Sequence, residues 1–202
     1  MKSSIKILLV TLFVLARAGN STAQYKADTS YFEVDTVKSC IEWFCDSHNG
    51  TVILKSGKIK TVGNQIVAGN FVINMDSLQD KDITYELMRK TLHNTLKSEF
   101  FFDVKNYPTS TFVLDNAIPY GKNNYKISGD LWIKGLVNCI GFNAVITIAG
   151  NELTAVSEKF YIDRTRWGIT IYSKQEAKSD DSVIVSDEIY FKIKIFAKRS
   201  KN

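Results

Sequence analysis

The most regular feature of the chain is a strict alternation of apolar and polar residues near its end. One set of alternate positions in segment 189–198 is apolar throughout, and it comprises Ile189, Phe191, Ile193, Ile195 and Ala197. The intervening set is Tyr190, Lys192, Lys194, Phe196 and Lys198. Because successive side chains of a strand point to opposite faces, this pattern predicts a strand with one dry and one solvated face.

Further segments rich in β-branched and aromatic residues recur along the chain. The other segments predicted as strands are 31–37, 39–45, 51–61, 65–74, 109–115, 125–134, 140–148 and 153–163. Gly63 and Asn64 separate two of these segments, and both residue types tolerate the positive φ of a hairpin turn. Short strands at this spacing predict a mainly β, antiparallel barrel or sandwich.

One segment follows a helical period instead. The apolar residues Tyr85, Met88, Leu92 and Leu96 are spaced three, four and four positions apart, which predicts an amphipathic helix over residues 82–97. Asp82 is the predicted N-cap. We expect the apolar stripe to pack against the sheet.

The strands present a predominantly apolar inner face, on which we expect any ligand to lie. The candidate binding residues are Ile127, Leu131, Ile133, Phe142, Ala144, Ile146, Phe160, Ile162, Phe191 and Ile193. An eight-stranded barrel either fills its interior with side chains or holds one small ligand. Ala144 and Gly129 are small and favour open space, but the residues alone leave both a cavity and a filled core possible.

The first 23 residues have the layout of a secretory signal peptide. Lys2 and Lys6 precede an apolar stretch over residues 7–16, and Ala23 ends a small-residue cleavage site. This stretch is too short to span a bilayer. Removal of residues 1–23 takes away three basic residues and no acidic one, so the net charge falls from +5 to +2. We therefore expect an exported protein, periplasmic or extracellular, with no membrane span after cleavage and no nucleic-acid partner.

No constellation of residues predicts catalysis or a metal site, so we expect a protein that is not an enzyme. The two histidines, His48 and His93, are far apart and lack the local spacing of zinc ligands. Cys40 and Cys45 lie five positions apart in one predicted strand, on opposite faces, so we expect no bond between them. A bond from Cys139 to either one stays open, as do buried free thiols.

Three segments, in order along the chain, resemble signatures of the YceI-like family of exported lipid-binding proteins. They are residues 96–112 (LKSEFFFDVKNYPTSTF), 127–135 (ISGDLWIKG) and 160–168 (FYIDRTRWG). The resemblance implies one domain over residues 24–202 with an antiparallel, eight-stranded, lipocalin-like barrel and one α-helix. It also implies a tunnel for a polyisoprenoid chain, such as an isoprenoid quinone or a prenyl phosphate, and no other cofactor.

A structural or stress-related barrel with a filled core and no natural ligand is the alternative. Thr95 and Trp132 depart from the family pattern at positions where the family often has His and Thr, which bears on head-group choice. The pair Asp163 and Arg164 matches the family and either contacts a head group or fixes a strand end.

Two further expectations concern aromatic residues. Phe100, Phe101 and Phe102 either close one end of the barrel or belong to its core. Tyr190 and Phe196, on the face predicted to be solvated, would suit a homodimer interface.

Overall fold

The computed structural model describes residues 28–176 and 183–200, so the signal peptide predicted over residues 1–23 lies outside the described residues. The described chain is mainly β, with ten strands and one α-helix. The elements are β1 (Thr29–Val34), β2 (Cys40–Cys45), β3 (His48–Val62), β4 (Gln65–Asp80), α1 (Glu86–Lys97), β5 (Thr109–Pro119), β6 (Asn124–Ile133), β7 (Leu136–Ala149), β8 (Glu152–Ser157), β9 (Phe160–Asp163) and β10 (Glu188–Arg199).

The strands close into one antiparallel, barrel-like ring with eight positions. Neighbours from β2 to β8 follow chain order, and β10 closes the ring between β8 and β2. β1 and β2 share one position, because both pair with β10 and with β3. β8 and β9 likewise lie one after the other along β10. The mainly β, antiparallel fold with eight barrel positions and one helix is confirmed.

Serine side chains replace backbone partners where the ladders are interrupted. Between β1 and β2, the Ser39 hydroxyl accepts the Phe196 N–H at 2.9 Å. Between β8 and β9, the Ser157 hydroxyl accepts the Ile193 N–H at 2.8 Å. Because a buried N–H without a partner is costly, these hydroxyls allow β10 to continue past both interruptions.

The sequence-based boundaries differ from the structure at most strands, and two of these differences change the path of the chain. The segment predicted as one strand over residues 153–163 is two strands, because the chain leaves the ladder at Glu158 and Lys159. The strand predicted to end at residue 37 ends at Val34, where Asp35 starts a turn by accepting the N–H groups of Val37 and Lys38.

Helix α1 begins four residues later than predicted, and the predicted N-cap is wrong. Tyr85 holds the N-cap position and makes no side-chain cap hydrogen bond. The Asp82 carboxylate instead accepts the Asn49 N–H at 2.7 Å and contacts His48 Nδ1 at 2.8 Å. Asp82 therefore fixes the β2–β3 hairpin to the segment before the helix.

Only the C-terminal half of the apolar stripe on α1 packs against the barrel. Leu96 is buried and Leu92 is half-buried, whereas Tyr85 is 73% exposed and Met88 is 63% exposed. The expectation that the whole stripe packs against the sheet is wrong for its first turn. Among the described residues, no helix has the length and apolar character needed to cross a membrane.

The end of the ring opposite α1 is densely packed. Phe32 is completely buried. Ala197 lies close to it, because Ala197 pairs with Val34, two residues further along β1. The Arg199 guanidinium lies over the Phe32 ring, 4.9 Å from its centroid. This end of the barrel is therefore closed by the chain itself.

Candidate functional site

A cavity of about 470 Å³ lies inside the ring and extends towards α1. All ten residues predicted from the alternation lie on its wall: Ile127, Leu131, Ile133, Phe142, Ala144, Ile146, Phe160, Ile162, Phe191 and Ile193. The side chains of the ring therefore leave a large part of the interior unfilled. That these ten residues touch a ligand stays a prediction.

The first half of the barrel supplies an equal share of the wall, which the candidate set missed. These further residues from β2 to β5 include Trp43, Leu54, Phe71, Ile73, Met75, Phe112 and Leu114. The same period-two alternation marks several of them, as in Ile41, Trp43 and Cys45 of β2. No alternation marks Tyr172, Val183 and Val185, which reach the wall from the segment between β9 and β10.

Five phenylalanine rings form a continuous row along the wall. Successive centroid distances are 6.2 Å from Phe71 to Phe112, 5.9 Å to Phe142, 4.4 Å to Phe160 and 6.0 Å to Phe191. Rings at these separations attract one another beyond the effect of area burial. The row joins β4, β5, β7, β9 and β10 and forms a continuous aromatic band on the cavity wall.

Ala144 and Gly129, the two small residues expected to favour open space on the inner face, differ in what surrounds them. Ala144 lies on the cavity wall, and its methyl side chain leaves space there. A Cβ atom at Gly129 would lie 2.6 Å from Phe112 Cζ and 2.3 Å from the Val113 carbonyl oxygen. Gly129 therefore opens no space, contrary to expectation, because the Phe112 ring occupies it.

Most polar side chains on the cavity wall already have partners within the protein. The Ser110 hydroxyl donates to the Trp132 carbonyl at 2.5 Å, and the Thr95 hydroxyl donates to the Thr91 carbonyl at 3.0 Å. Asp46 accepts the Ser186 N–H at 3.0 Å. Ser157 and His48, already described, are paired in the same way. Because these groups are satisfied internally, the cavity can hold an apolar molecule without leaving them unpaired.

The segment between β4 and α1 carries a carboxyl group with a shifted pKa, Asp82, which contacts the β2–β3 hairpin. Partial burial would raise the pKa of Asp82, but hydrogen bonds from the Asn49 N–H and the His48 ring outweigh it and hold the pKa below its usual value. Asp82 is therefore a carboxylate at neutral pH and keeps the hairpin in place.

The end of the cavity nearest α1 is partly closed by the loop after the helix. Phe101 and Phe102 are buried on the wall with their ring centroids 5.1 Å apart, whereas Phe100 is 61% exposed.

Of the two departures from the family pattern, Thr95 lies on the wall, whereas Trp132 is 44% exposed and is not part of it. Only Thr95 is placed to influence a molecule in the cavity.

Arg164 is a structural residue in this fold. Its side chain is fully buried, and its guanidinium donates to the carbonyls of Ile169, Ile171, Val185 and Ser186 at 2.7–3.0 Å. Its Nη2 atom also lies 3.2 Å from an Asp187 carboxylate oxygen. The guanidinium therefore makes four hydrogen bonds and one ion pair, and Arg164 holds the two ends of the segment between β9 and β10 together.

Asp163 does not pair with Arg164. It caps the 3₁₀ turn Arg164–Trp167 by accepting the Thr165 N–H at 2.9 Å. These contacts favour the strand-end interpretation of the pair over a head-group contact.

The three cysteines are unbonded. Cys45 faces the cavity, and Cys40, on the opposite face of β2, does not. Burial, with a smaller effect of Asp46, raises the pKa of Cys45 to about 11. Cys139 is exposed, so the expectation of buried thiols does not hold for it. In the described part of the chain, no three His, Cys, Asp or Glu side chains are grouped closely enough to hold a metal ion.

The two aromatics expected to form a dimer surface are covered by lysines of the same chain. Lys159 Nζ lies 4.9 Å from the Tyr190 ring centroid, and Lys194 Nζ lies 5.0 Å from that of Phe196. Both rings are half-buried rather than exposed. That they form a homodimer interface stays a prediction.

Solved structures share this architecture at low sequence identity. Burkholderia cenocepacia BcnA is 22% identical, with a TM-score of 0.64, over 82% of this chain and 99% of that one. A polyisoprenoid-binding domain from Saccharophagus degradans, implicated in plant cell wall breakdown, is 10% identical with a TM-score of 0.61, over 86% and 100%. The Campylobacter jejuni YceI protein is 16% identical with a TM-score of 0.53, over 99% and 94%.

Sequence comparison gives a family assignment but no individual relative. No curated protein matches the chain. The profile of the YceI-like domain matches residues 25–197, which include the helix and every strand except the last two residues of β10. The matched span and the shared barrel agree with the three signature segments, and the chain belongs to the YceI-like family.

Proposed function

We propose that this protein binds one long, apolar, chain-like lipid, such as a polyisoprenoid or an isoprenoid quinone, in the cavity of its barrel. The observation that carries the proposal is the chemistry of the wall: aliphatic and aromatic side chains dominate it, and most of its polar groups are already paired. A ligand recognised there must offer apolar surface and fit the shape.

The size of the cavity supports a ligand rather than a packing defect. An apolar cavity of about 150 Å³ already admits a small aromatic molecule. The interior space of this barrel, about 470 Å³, is about three times as large. Burial of lipid contributes roughly 25 cal/mol per Å² of apolar surface, so a long chain that fills this space binds favourably.

The elongated form of the cavity favours a chain over a compact molecule. Along β10 its wall runs from Ile189 to Ile195. At about 3.3 Å per residue, these six steps span roughly 20 Å. The related Saccharophagus degradans domain is described as polyisoprenoid-binding, which is consistent with a ligand of this shape.

We propose binding rather than catalysis as the role of the cavity. His48, the only histidine on its wall among the described residues, is paired with Asp82, and no nucleophile is hydrogen-bonded to it.

Export belongs to the same proposal: the leader over residues 1–23 would direct the chain to a periplasmic or extracellular location, where a carrier shields a lipid from water.

The test is native mass spectrometry of protein purified from the exported fraction without detergent, followed by organic extraction and lipid analysis. The proposal predicts an adduct with the mass of one lipid molecule, lost on denaturation and recovered in the extract as a long-chain apolar compound. A protein that shows only its apo mass, and that fails to take up added farnesol or hexaprenol, contradicts it.

A further inference from the structure

One side of the barrel is closed by side chains instead of a backbone ladder. β7 and β8 pair up to Ala144 and Ser157, and one more bond joins the Glu158 N–H to the Asn143 carbonyl at 2.9 Å. Beyond that point β9 pairs with β10 alone, and residues 136–143 of β7 pair with β6 alone. We call this unpaired line between β7 and β9 the seam.

The two halves of the seam are closed differently. Towards the 3₁₀ turn, Asn138 donates to the Arg166 carbonyl at 2.9 Å, and the buried Trp167 indole donates to the Leu131 carbonyl at 2.9 Å. Next to β8, the closure is the stacked pair Phe142 and Phe160, with ring planes 12° apart. Apart from the bonds between Asn143 and Glu158 at the end of β8, no hydrogen bond of the described residues crosses this half of the seam. It can therefore open at a lower cost than the half held by Trp167.

A second space of about 390 Å³, an open depression of the surface that we call the outer cavity, lies on the outer side of this aromatic pair. Its lining consists of Lys126, Ile127, Gly141, Phe142, Asn143, Glu158, Lys159 and Phe160. Ile127, Phe142 and Phe160 also line the inner cavity, so one layer of side chains separates the two spaces. A chain passing between the two rings would connect them.

The charges of the two spaces point to where an anionic group would lie. Among the described residues, the inner wall carries Asp46 and no lysine or arginine. The outer cavity carries two lysines and one carboxylate, and the Glu158 carboxylate already accepts the Asn143 amide at 3.0 Å. Lys126 Nζ lies 5.9 Å from the Tyr120 ring centroid, and Lys159 Nζ lies 4.5 Å and 4.9 Å from those of Phe44 and Tyr190. Both ammonium groups must leave these rings to meet an anion in the outer cavity, and the stronger charge-assisted contact favours that exchange.

We infer that the outer cavity binds the anionic head group of an amphiphile, a phosphate or a carboxylate, whose chain passes between Phe142 and Phe160 into the tunnel. This inference rests on the proposed function, because the chain must occupy the inner cavity. It gives the charged end of the lipid a solvated, basic site outside the barrel, where its charge does not have to be desolvated.

The experiment compares two probes with the same chain, farnesyl phosphate and farnesol, by calorimetric titration of the delipidated protein. The parent protein is expected to bind the phosphate about tenfold more tightly than the alcohol. Excess inorganic phosphate should remove this preference and leave farnesol binding unchanged, because it competes for the head-group site alone.

The first variant removes both cations of the outer cavity. Lys126→Gln with Lys159→Gln should reduce the preference for the phosphate to near onefold without changing the affinity for farnesol. The matched control is Lys58→Gln with Lys60→Gln, which loses the same charge from two lysines lying over Tyr31 and lining neither cavity. The control should keep the tenfold preference.

The second variant fills the outer cavity without touching the tunnel. A Cβ atom at Gly141 would contact only the Ile127 carbonyl oxygen, at 3.5 Å, so Gly141→Phe can place its ring in the outer space. This variant should lose the phosphate preference and take up farnesol several-fold more slowly. Val145→Phe, on the outward face of β7 and outside both cavities, should do neither.

The results separate failure of this inference from failure of the proposed function. A parent protein that binds neither probe contradicts the proposed function and with it this inference. A parent that binds both probes equally, or a Lys126→Gln, Lys159→Gln variant that keeps the preference, overturns the head-group site and leaves the tunnel standing. Inorganic phosphate that binds without weakening farnesyl phosphate would mean that the outer cavity serves a free anion, and this also overturns the inference.

Discussion

The ring of Phe112 occupies the place that a side chain on Gly129 would take. Phe112 Cζ lies 2.6 Å from the position of a Cβ at Gly129, and the Val113 carbonyl oxygen lies 2.3 Å from it. The glycine in the middle of β6 thus allows Phe112 to join the aromatic row on the cavity wall. This relationship makes Gly129 a packing requirement.

We expect Gly129→Ala to destabilise the protein by about 1–3 kcal/mol, because the new methyl group overpacks the interior. Gly141→Ala is the control on the neighbouring strand, where a methyl group has room, and it should change the free energy of unfolding by less than about 0.5 kcal/mol. Urea denaturation of both variants checks this. Equal effects of the two substitutions would show that Phe112 can move aside.

Arg164 should be required for stability and not for lipid choice. Arg164→Gln removes the ion pair with Asp187 and leaves buried carbonyls without donors, so we expect a loss of about 3–5 kcal/mol. The control is the exposed Arg166, whose substitution by Gln should cost less than about 1 kcal/mol. Thermal unfolding gives the comparison.

A different outcome would revive the head-group interpretation of Arg164. In that case Arg164→Gln would be about as stable as Arg166→Gln and would bind farnesyl phosphate more weakly without a change in farnesol binding.

The strands could be predicted from the local pattern of apolar and polar residues, whereas the way in which the barrel closes could not. Alternation is a property of side-chain direction, so it correctly identified β10 and placed Phe142 and Ile193 on the inner face. The alternation shifts by one position at Glu158 and Lys159, because the wall residues before this point are odd-numbered and those after it are even-numbered. The prediction of one strand over residues 153–163 overlooked this shift. Tertiary contacts also leave no local pattern. Asp82 is of a residue type that commonly caps helices, but its carboxylate accepts the Asn49 N–H of the β2–β3 hairpin.

The reactivities of the thiols should differ. Burial raises the pKa of Cys45 to about 11, so at pH 8 very little of it is the reactive thiolate, whereas Cys139 is exposed. We expect iodoacetamide to modify Cys139 first and Cys45 slowly, and bound farnesol to slow Cys45 further because that residue lines the cavity. Peptide mapping of timed samples measures both rates.

The same mapping under non-reducing conditions should find no bond between Cys40 and Cys45. A Cys139→Ser variant is the control, since it should lack the fast reaction. Fast modification of Cys45, or a bond to Cys40, would contradict the regular geometry of β2.

The exported form is expected to begin at Gln24, because Ala23 completes the small-residue cleavage site. Intact-mass analysis of the secreted or periplasmic protein decides this. Ala23→Arg should block processing and serves as the control. A mature protein that retains residues 1–23 would contradict the proposal of export.

The claim at the centre of this account is that the barrel interior is open space for a lipid chain. Ala144 and Ala197 are both buried alanines, but only Ala144 lines the cavity. Ala144→Phe should therefore place its ring in open space and change the free energy of unfolding by less than about 1 kcal/mol. Ala197→Phe has no such space and should cost about 1–3 kcal/mol.

The most direct measurement is farnesol affinity together with the free energy of unfolding for the parent, Ala144→Phe and Ala197→Phe. We predict that Ala144→Phe binds farnesol at least tenfold more weakly while remaining nearly as stable as the parent, and that Ala197→Phe is destabilised but still binds. The account is contradicted if Ala144→Phe is destabilised as strongly as Ala197→Phe and the parent protein binds no farnesol.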